Sequence, residues 1–219
     1  MTRPVTTNTD SSIAYRKLRE MILRTELRPG DMLVERELMA ALSVGRTPLR
    51  DALHLLAHEG LVDITPRRGT SVTQVTLSDL QQIFELRAGI ERIVAQGAVE
   101  RVSGRDLADL RALLERARAT RGPVSDVEID GSFHRLLLRI ADNRYLTETY
   151  RRLADASLRL LYLTNCGMEP TEEQIRTLEA TEEALRDRDD DALADVLVDH
   201  VRAFRDRVSG SIFSGERVA

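Results

Sequence analysis

The chain of 219 residues has no tryptophan, four phenylalanines, four tyrosines and one cysteine. A core without many large aromatic rings has to be assembled from Leu, Val, Ile and Ala, a composition common in helical bundles. Cys166 stands alone, which excludes an internal disulfide. Lys17 is the only lysine, so no residue beyond it could hold pyridoxal phosphate as a Schiff base. No apolar run is long enough to span a bilayer, and no secretory pattern opens the chain; a cytoplasmic location is the expectation, with no membrane partner. Internal repeats are also missing. What is present, 42% hydrophobic and 31% charged residues, is the balance of a folded globular protein of two domains or one large one.

The formal charge of -4 argues at first against a polyanion as partner. It is unevenly spread. Residues 1–75 hold 11 basic against 9 acidic side chains, while the remainder holds 21 against 27. A small local basic excess implies that any affinity for phosphate must come from a few placed arginines, doubled in a dimer, and that it should be salt-sensitive.

Val34 to Ser71 is the stretch that gives those arginines a purpose. Arg36, Leu38, Ala41 and Leu42 have the spacing of a two-turn helix, and Ser43-Val44-Gly45 forces a steep crossing into a second one. There Leu49, Ala52, Leu53 and Leu56 form the core-facing stripe, whereas Arg46, Thr47 and Arg50 lie off it at the amino-terminal end. Thr47 is the expected cap and Pro48 suits the first turn. Arg and Thr at the front of a second helix are what the major groove requires for guanine edges and phosphates. Leu61 to Thr65 and Gly69 to Thr73 read as a hairpin whose tip presents Arg67 and Arg68 to phosphate or the minor groove.

The run LRPGDMLVERELMAALSVGRTPLRDALHLLAHEGLV with PRRGTSV resembles the winged-helix domain of the GntR family of bacterial transcription regulators, over residues 11–75. By that resemblance Arg36, Arg46, Thr47 and Arg50 contact the operator and Arg67, Arg68 and Gly69 form the wing.

Before this part, residues 1–10 are polar and unpatterned, expected to be a flexible arm, and Ser11 or Ser12 is the expected cap of a first helix carrying Ile13, Leu18, Ile22 and Leu23. From Ser78, which is expected to cap the next helix, only helical periodicity remains. Helices are expected to about Val102, from Leu107 to about Arg121, over 125–141, then to about Cys166, from a Thr171 cap to about Arg188, and over 190–209. The fold class read from this is mainly α: a winged helix-turn-helix, an all-helical domain over 76–210, and a tail over 211–219.

Asp130 and His134 lie one helical turn apart, and His200 falls within the stripe Leu193, Leu197, Val201 and Phe204. A carboxylate and two imidazoles converging inside a bundle suit a divalent ion with open positions; the alternative is a buried ion pair between Asp130 and His134. Arg87, on the stripe of Ile83, Ile90 and Val94, either pairs with Glu91 or holds a carboxylate bidentately. Tyr150, Tyr162 and Asn165 are further candidates for the same cavity. A redox role for Cys166 would need a depressed pKa.

The segments VEIDGSFHRLLLRIADNRYL and DDDALADVLVDH resemble the FCD effector domain found in a large GntR subgroup. Many members bind a metal such as zinc through one Asp and three His. Asp130, His134 and His200 match three of those positions, and Leu178 stands where the remaining His would be, with Glu182 one turn on as a substitute. The resemblance implies small organic acids as effectors, with Arg87, Asp130, His134, His200, Tyr162 and Asn165 around them. The function expected is therefore a homodimeric, effector-responsive regulator, a repressor, reading a near-palindromic operator in double-stranded DNA, and no enzyme. Two alternatives remain: a metal-dependent hydrolase using Asp130, His134 and His200, and a ligand-independent DNA-binding dimer.

Overall fold

In the computed structural model of the chain, residues 9–119, 123–164 and 172–213 are described; the expected arm, Asn165, Cys166, the Thr171 cap and most of the expected tail lie outside them. The described residues form helices α1 Asp10–Leu23, α2 Glu35–Leu42 and α3 Arg46–His58, strands β1 Val62–Thr65 and β2 Gly69–Val72, and then helices α4 Leu77–Arg101, α5 Gly104–Ala119, α6 Pro123–Ala141, α7 Arg144–Leu163, α8 Glu172–Asp187 and α9 Asp190–Phe213. Helix dominates as expected, with one two-stranded wing. No described helix is long and apolar enough to cross a membrane.

The chain divides into two compact units, one of residues up to 77 together with 155–163, the other of 78–154 with 164 onward. In the first, α1 starts earlier than the serines suggest: Thr9 is the cap, its hydroxyl accepting the Ser12 amide at 3.3 Å, and Ser12 lies inside the helix. Ala14, Leu18 and Ile22 of α1 and Leu49, Leu53 and Leu56 of α3 are buried in one cluster. Ser43 ends α2 in the left-handed conformation (φ 56°), which turns the chain within three residues into α3. The strands pair antiparallel, Val62 opposite Val72 and Thr65 opposite Gly69. Their tip is closed by the Arg68 amide on the Thr65 carbonyl at 3.1 Å. Arg67 (φ 64°) and Gly69 (φ 100°) supply the left-handed residues there, a conformation that glycine takes without steric cost.

Residues 155–163 of α7 are tied into this unit. Arg19 pairs with Asp155 at 2.7 Å and with Glu59 at 3.3 Å, Tyr15 donates to Glu59 at 2.5 Å, and the Arg159 guanidinium donates to the Thr73 hydroxyl (2.9 Å) and carbonyl.

The second unit is a helical bundle. Val94 and Ala98 of α4, Leu110 of α5, Leu137 of α6, Leu185 of α8 and Leu197 of α9 are among the residues of one continuous buried cluster. A methyl group on Gly97 would come within 3.1 Å of the Ala141 side chain, so this glycine is what lets α4 and the end of α6 touch. Ser78 falls inside α4 instead of capping it, and α9 runs four residues past the expected Ser209.

Candidate functional site

Two groups of residues stand out, one in each unit. In the first unit, α3 begins at Arg46 with Gly45 as its cap, and no side chain caps it. Thr47 therefore lies inside the first turn, its hydroxyl not spent on the helix end, and it is exposed together with Arg46 and Arg50. The expected capping role of Thr47 is replaced by Gly45 because the turn from Ser43 leaves the backbone extended there (ψ 170°). Arg36 on α2 is exposed, as are Arg67, Arg68 and Gly69 at the wing tip. Glu35, which sequence reasoning did not single out, accepts from Arg50 at 2.8 Å and lies 3.7 Å from Arg46. It holds both guanidinium groups at one end of α3 while leaving Arg46 67% and Arg50 55% exposed. Only the spacing of an acid at the front of α2 could have hinted at this, since the pair is 15 residues apart.

In the second unit, α6 supplies Asp130 and His134, and α9 supplies His200. The His200 Nε2 lies 2.9 Å and the His134 Nε2 3.5 Å from the same Asp130 oxygen. One donor atom from each of the three residues fits within 4.8 Å of the others. Donors about 2.1 Å from a tetrahedral ion are about 3.4 Å apart; the two contacts to Asp130, 2.9 and 3.5 Å, are near that value, within a cluster whose donor atoms lie up to 4.8 Å from one another. The rings are held by packing: Phe133 lies 5.2 Å from the His134 ring and 6.0 Å, edge-on, from that of His200.

Behind His134 a hydrogen-bonded network fixes the ring from its Nδ1 side. The Tyr150 hydroxyl is 2.7 Å from His134 Nδ1, 2.9 Å from a Glu91 oxygen, and accepts from Arg87 at 2.9 Å. A phenol has one proton to give, and the Glu91 carboxylate can only accept; Tyr150 therefore donates to Glu91, and His134 Nδ1–H donates to Tyr150. On the other edge of the ring, His134 Nε2 is buried without a hydrogen-bond partner, 3.5 Å from Asp130. A buried nitrogen left unpartnered beside a carboxylate is a position a cation can occupy.

Charge in this cluster follows from the same contacts. Burial would push the Asp130 carboxyl up, but His134 and His200 hold it well below the usual carboxylate range. Burial pushes the Tyr150 phenol well above its ordinary value. Burial works against the Arg87 charge, yet Tyr150 and Glu91 outweigh it and raise its pKa. Of the two roles weighed from sequence, the contacts of Arg87 show the pairing: it lies 3.7 Å from Glu91 and donates to Tyr150 at 2.9 Å.

Other candidates separate from this cluster. Leu178 is buried in the bundle core, and Glu182 is taken by Arg111 at 2.6 Å and Arg186 at 2.5 Å, so it does not stand in for the missing imidazole. Tyr162, near the end of α7, belongs to the first unit.

Comparison with known proteins matches two family profiles to the chain. The profile of bacterial regulatory proteins of the gntR family matches residues 11–72, and that of the FCD domain matches residues 82–203. The chain is 30% identical over 197 residues to the HTH-type transcriptional repressor RspR of Escherichia coli K12, covering 89% of this chain and 86% of that one. It is 34% identical to the Nta operon transcriptional regulator of Aminobacter aminovorans over 62% of this chain and 65% of that protein. Among solved structures it is similar in fold to E. coli McbR/YncC (TM-score 0.78, 20% identity, 94% of this chain and 100% of the other). A regulator from Rhodococcus sp. RHA1 also shares the fold (TM-score 0.69, 21% identity, 91% and 97%). The chain belongs to the GntR family of bacterial transcription regulators, in its FCD branch, and is a DNA-binding regulator with a carboxy-terminal effector domain.

Proposed function

We propose that the protein is a homodimeric repressor that reads a near-palindromic operator with residues 11–75 and is controlled by a small organic acid bound within residues 76–210. The observation that carries the reading is the front of α3, where Arg46, Thr47 and Arg50 are exposed around Glu35, clear of the buried stripe. Arg46 and Arg50 are assigned to base edges and the adjoining phosphates, Arg36 and Thr47 to positioning on the backbone, and the wing residues Arg67, Arg68 and Gly69 to the neighbouring groove.

For the second site we propose that Asp130, His134 and His200 hold one divalent ion such as zinc, supported by their mutual distances and by the buried, unpartnered Nε2 of His134. The ion, when bound, would supply a Lewis-acidic point for the effector's carboxylate. Arg87 adds a buried positive charge beside it, kept in place by Tyr150 and Glu91. The reading as a hydrolase has no observation of its own in its favour, and the named relatives are regulators.

The test is operator binding by the purified full chain. Arg46→Ala and Arg50→Ala are each expected to lose at least tenfold in affinity while the oligomeric state is unchanged; undiminished affinity in both overturns the assignment. Elemental analysis with a His134→Ala control checks the ion: about one metal per chain in the parent protein and none in the variant is expected, and no metal in the parent at saturating supply contradicts the site.

A further inference from the structure

Helix α4 has a face that the rest of the chain leaves bare. Its inner side is buried through Phe84, Ile90, Val94 and Ala98, but Leu86 and Ile93 on the opposite side are 51% and 53% exposed. At 100° per residue, Gln82, Glu85, Leu86, Gly89, Arg92 and Ile93 fall within about 60° of the direction in which Gly89 points. All six are exposed.

Gly89 is the informative member. A glycine inside a helix costs about 0.5–1 kcal/mol relative to alanine. Gly97 of the same helix has a reason within the fold, because a side chain there would meet Ala141; a methyl group on Gly89 would meet nothing within 4 Å. Nothing among the described residues requires the glycine. A second helix approaching at this point would.

The face is complementary to itself. About Gly89, Leu86 and Ile93 lie to one side, Glu85 and Arg92 to the other. An antiparallel copy of α4, related by a twofold axis level with Gly89, sets Leu86 against the partner's Ile93 and Glu85 against the partner's Arg92, each contact occurring twice. A parallel copy would set Glu85 against leucine and Arg92 against isoleucine. Arg92 is held in the single chain only by an exposed contact with Asp195 at 3.4 Å, which leaves it available. We propose that this face of α4 is the twofold dimer interface, occupied by a second copy of this chain docked antiparallel across Gly89. The absent side chain allows the axes to close toward the short end of the usual 8–10 Å spacing, and the paired charges fix direction and register. The inference rests on the homodimer reading given above.

Sedimentation velocity of the full chain tests it, with Glu85→Arg, Arg92→Glu and the two combined, and with Gly89→Leu. The unaltered protein is expected to sediment as a dimer. Each single reversal raises its dissociation constant at least tenfold, and the combined reversal returns it to within about threefold. Gly89→Leu, whose side chain holds the two helices apart, raises it at least tenfold as well. A dimeric parent whose single reversals and Gly89→Leu dimerise equally well overturns the interface while leaving the dimer standing. A monomeric parent at all concentrations overturns the dimer itself.

Discussion

Tyr150 shows how one side chain sets the chemistry of another. By donating to Glu91 and accepting from Arg87 and His134, it decides which imidazole nitrogen is engaged and which faces Asp130 without a hydrogen-bond partner. Tyr150→Phe removes the acceptor for His134 Nδ1–H without emptying the space. Metal affinity, read by competition with a chromogenic chelator, should fall about 10–100-fold, as for other groups that orient a ligand from behind; an unchanged affinity would detach Tyr150 from the site. Tyr15 carries a pH signature of its own. Burial and the Glu59 carboxylate push its phenol up to about 12 from an ordinary value of 10.0. A raised pKa on an acid favours the neutral form in the folded state, so its contribution to stability is complete below about pH 10 and is lost as pH climbs toward about 12. Denaturant unfolding between those limits should show that loss in the parent protein and a flatter profile in Tyr15→Phe. Neither role was readable from spacing, because the partners lie 16 and 44 positions away.

At the scale of elements, α2 and α3 act together through Glu35. Its carboxylate holds Arg46 and Arg50 in one fixed direction at the front of α3 and cancels part of their charge. Glu35→Gln should raise affinity for random duplex and lower the ratio of operator to random binding by about tenfold, since each base pair read well is worth about 1–3 kcal/mol. A ratio unchanged in competition titrations would show that the clamp has no part in reading sequence. The helix-turn-helix, the wing and the bundle helices were legible because each is set by local periodicity and turn residues: the buried stripe of Leu49, Ala52, Leu53 and Leu56 is the one expected. The ends were less so. Thr9 displaced Ser11 and Ser12 as the cap of α1, and Gly45 displaced Thr47 at α3, because the backbone entering each helix, and not the nearest hydroxyl, decides which residue caps. The convergence of Asp130, His134 and His200 was visible as spacing plus a stripe, whereas Glu182, also on the expected face, was drawn away by Arg111 and Arg186 from other turns.

For the whole molecule, the proposed function sets a modest basic excess in residues 1–75 beside an acidic remainder in the same chain. Affinity for DNA then depends on few cations used in duplicate. Replacing Arg67 and Arg68 together by Ala removes four phosphate contacts from a dimer, so the slope of log K against log salt should become shallower by about 4. A slope unchanged by that replacement would place the wing away from the duplex. The most direct measurement is selection of duplexes from a random pool by the purified full chain at low ionic strength, with and without added divalent metal and a panel of small carboxylic acids. The account predicts enrichment of one near-palindromic sequence whose retention falls when a particular acid is present; a pool that remains random under every condition would contradict it.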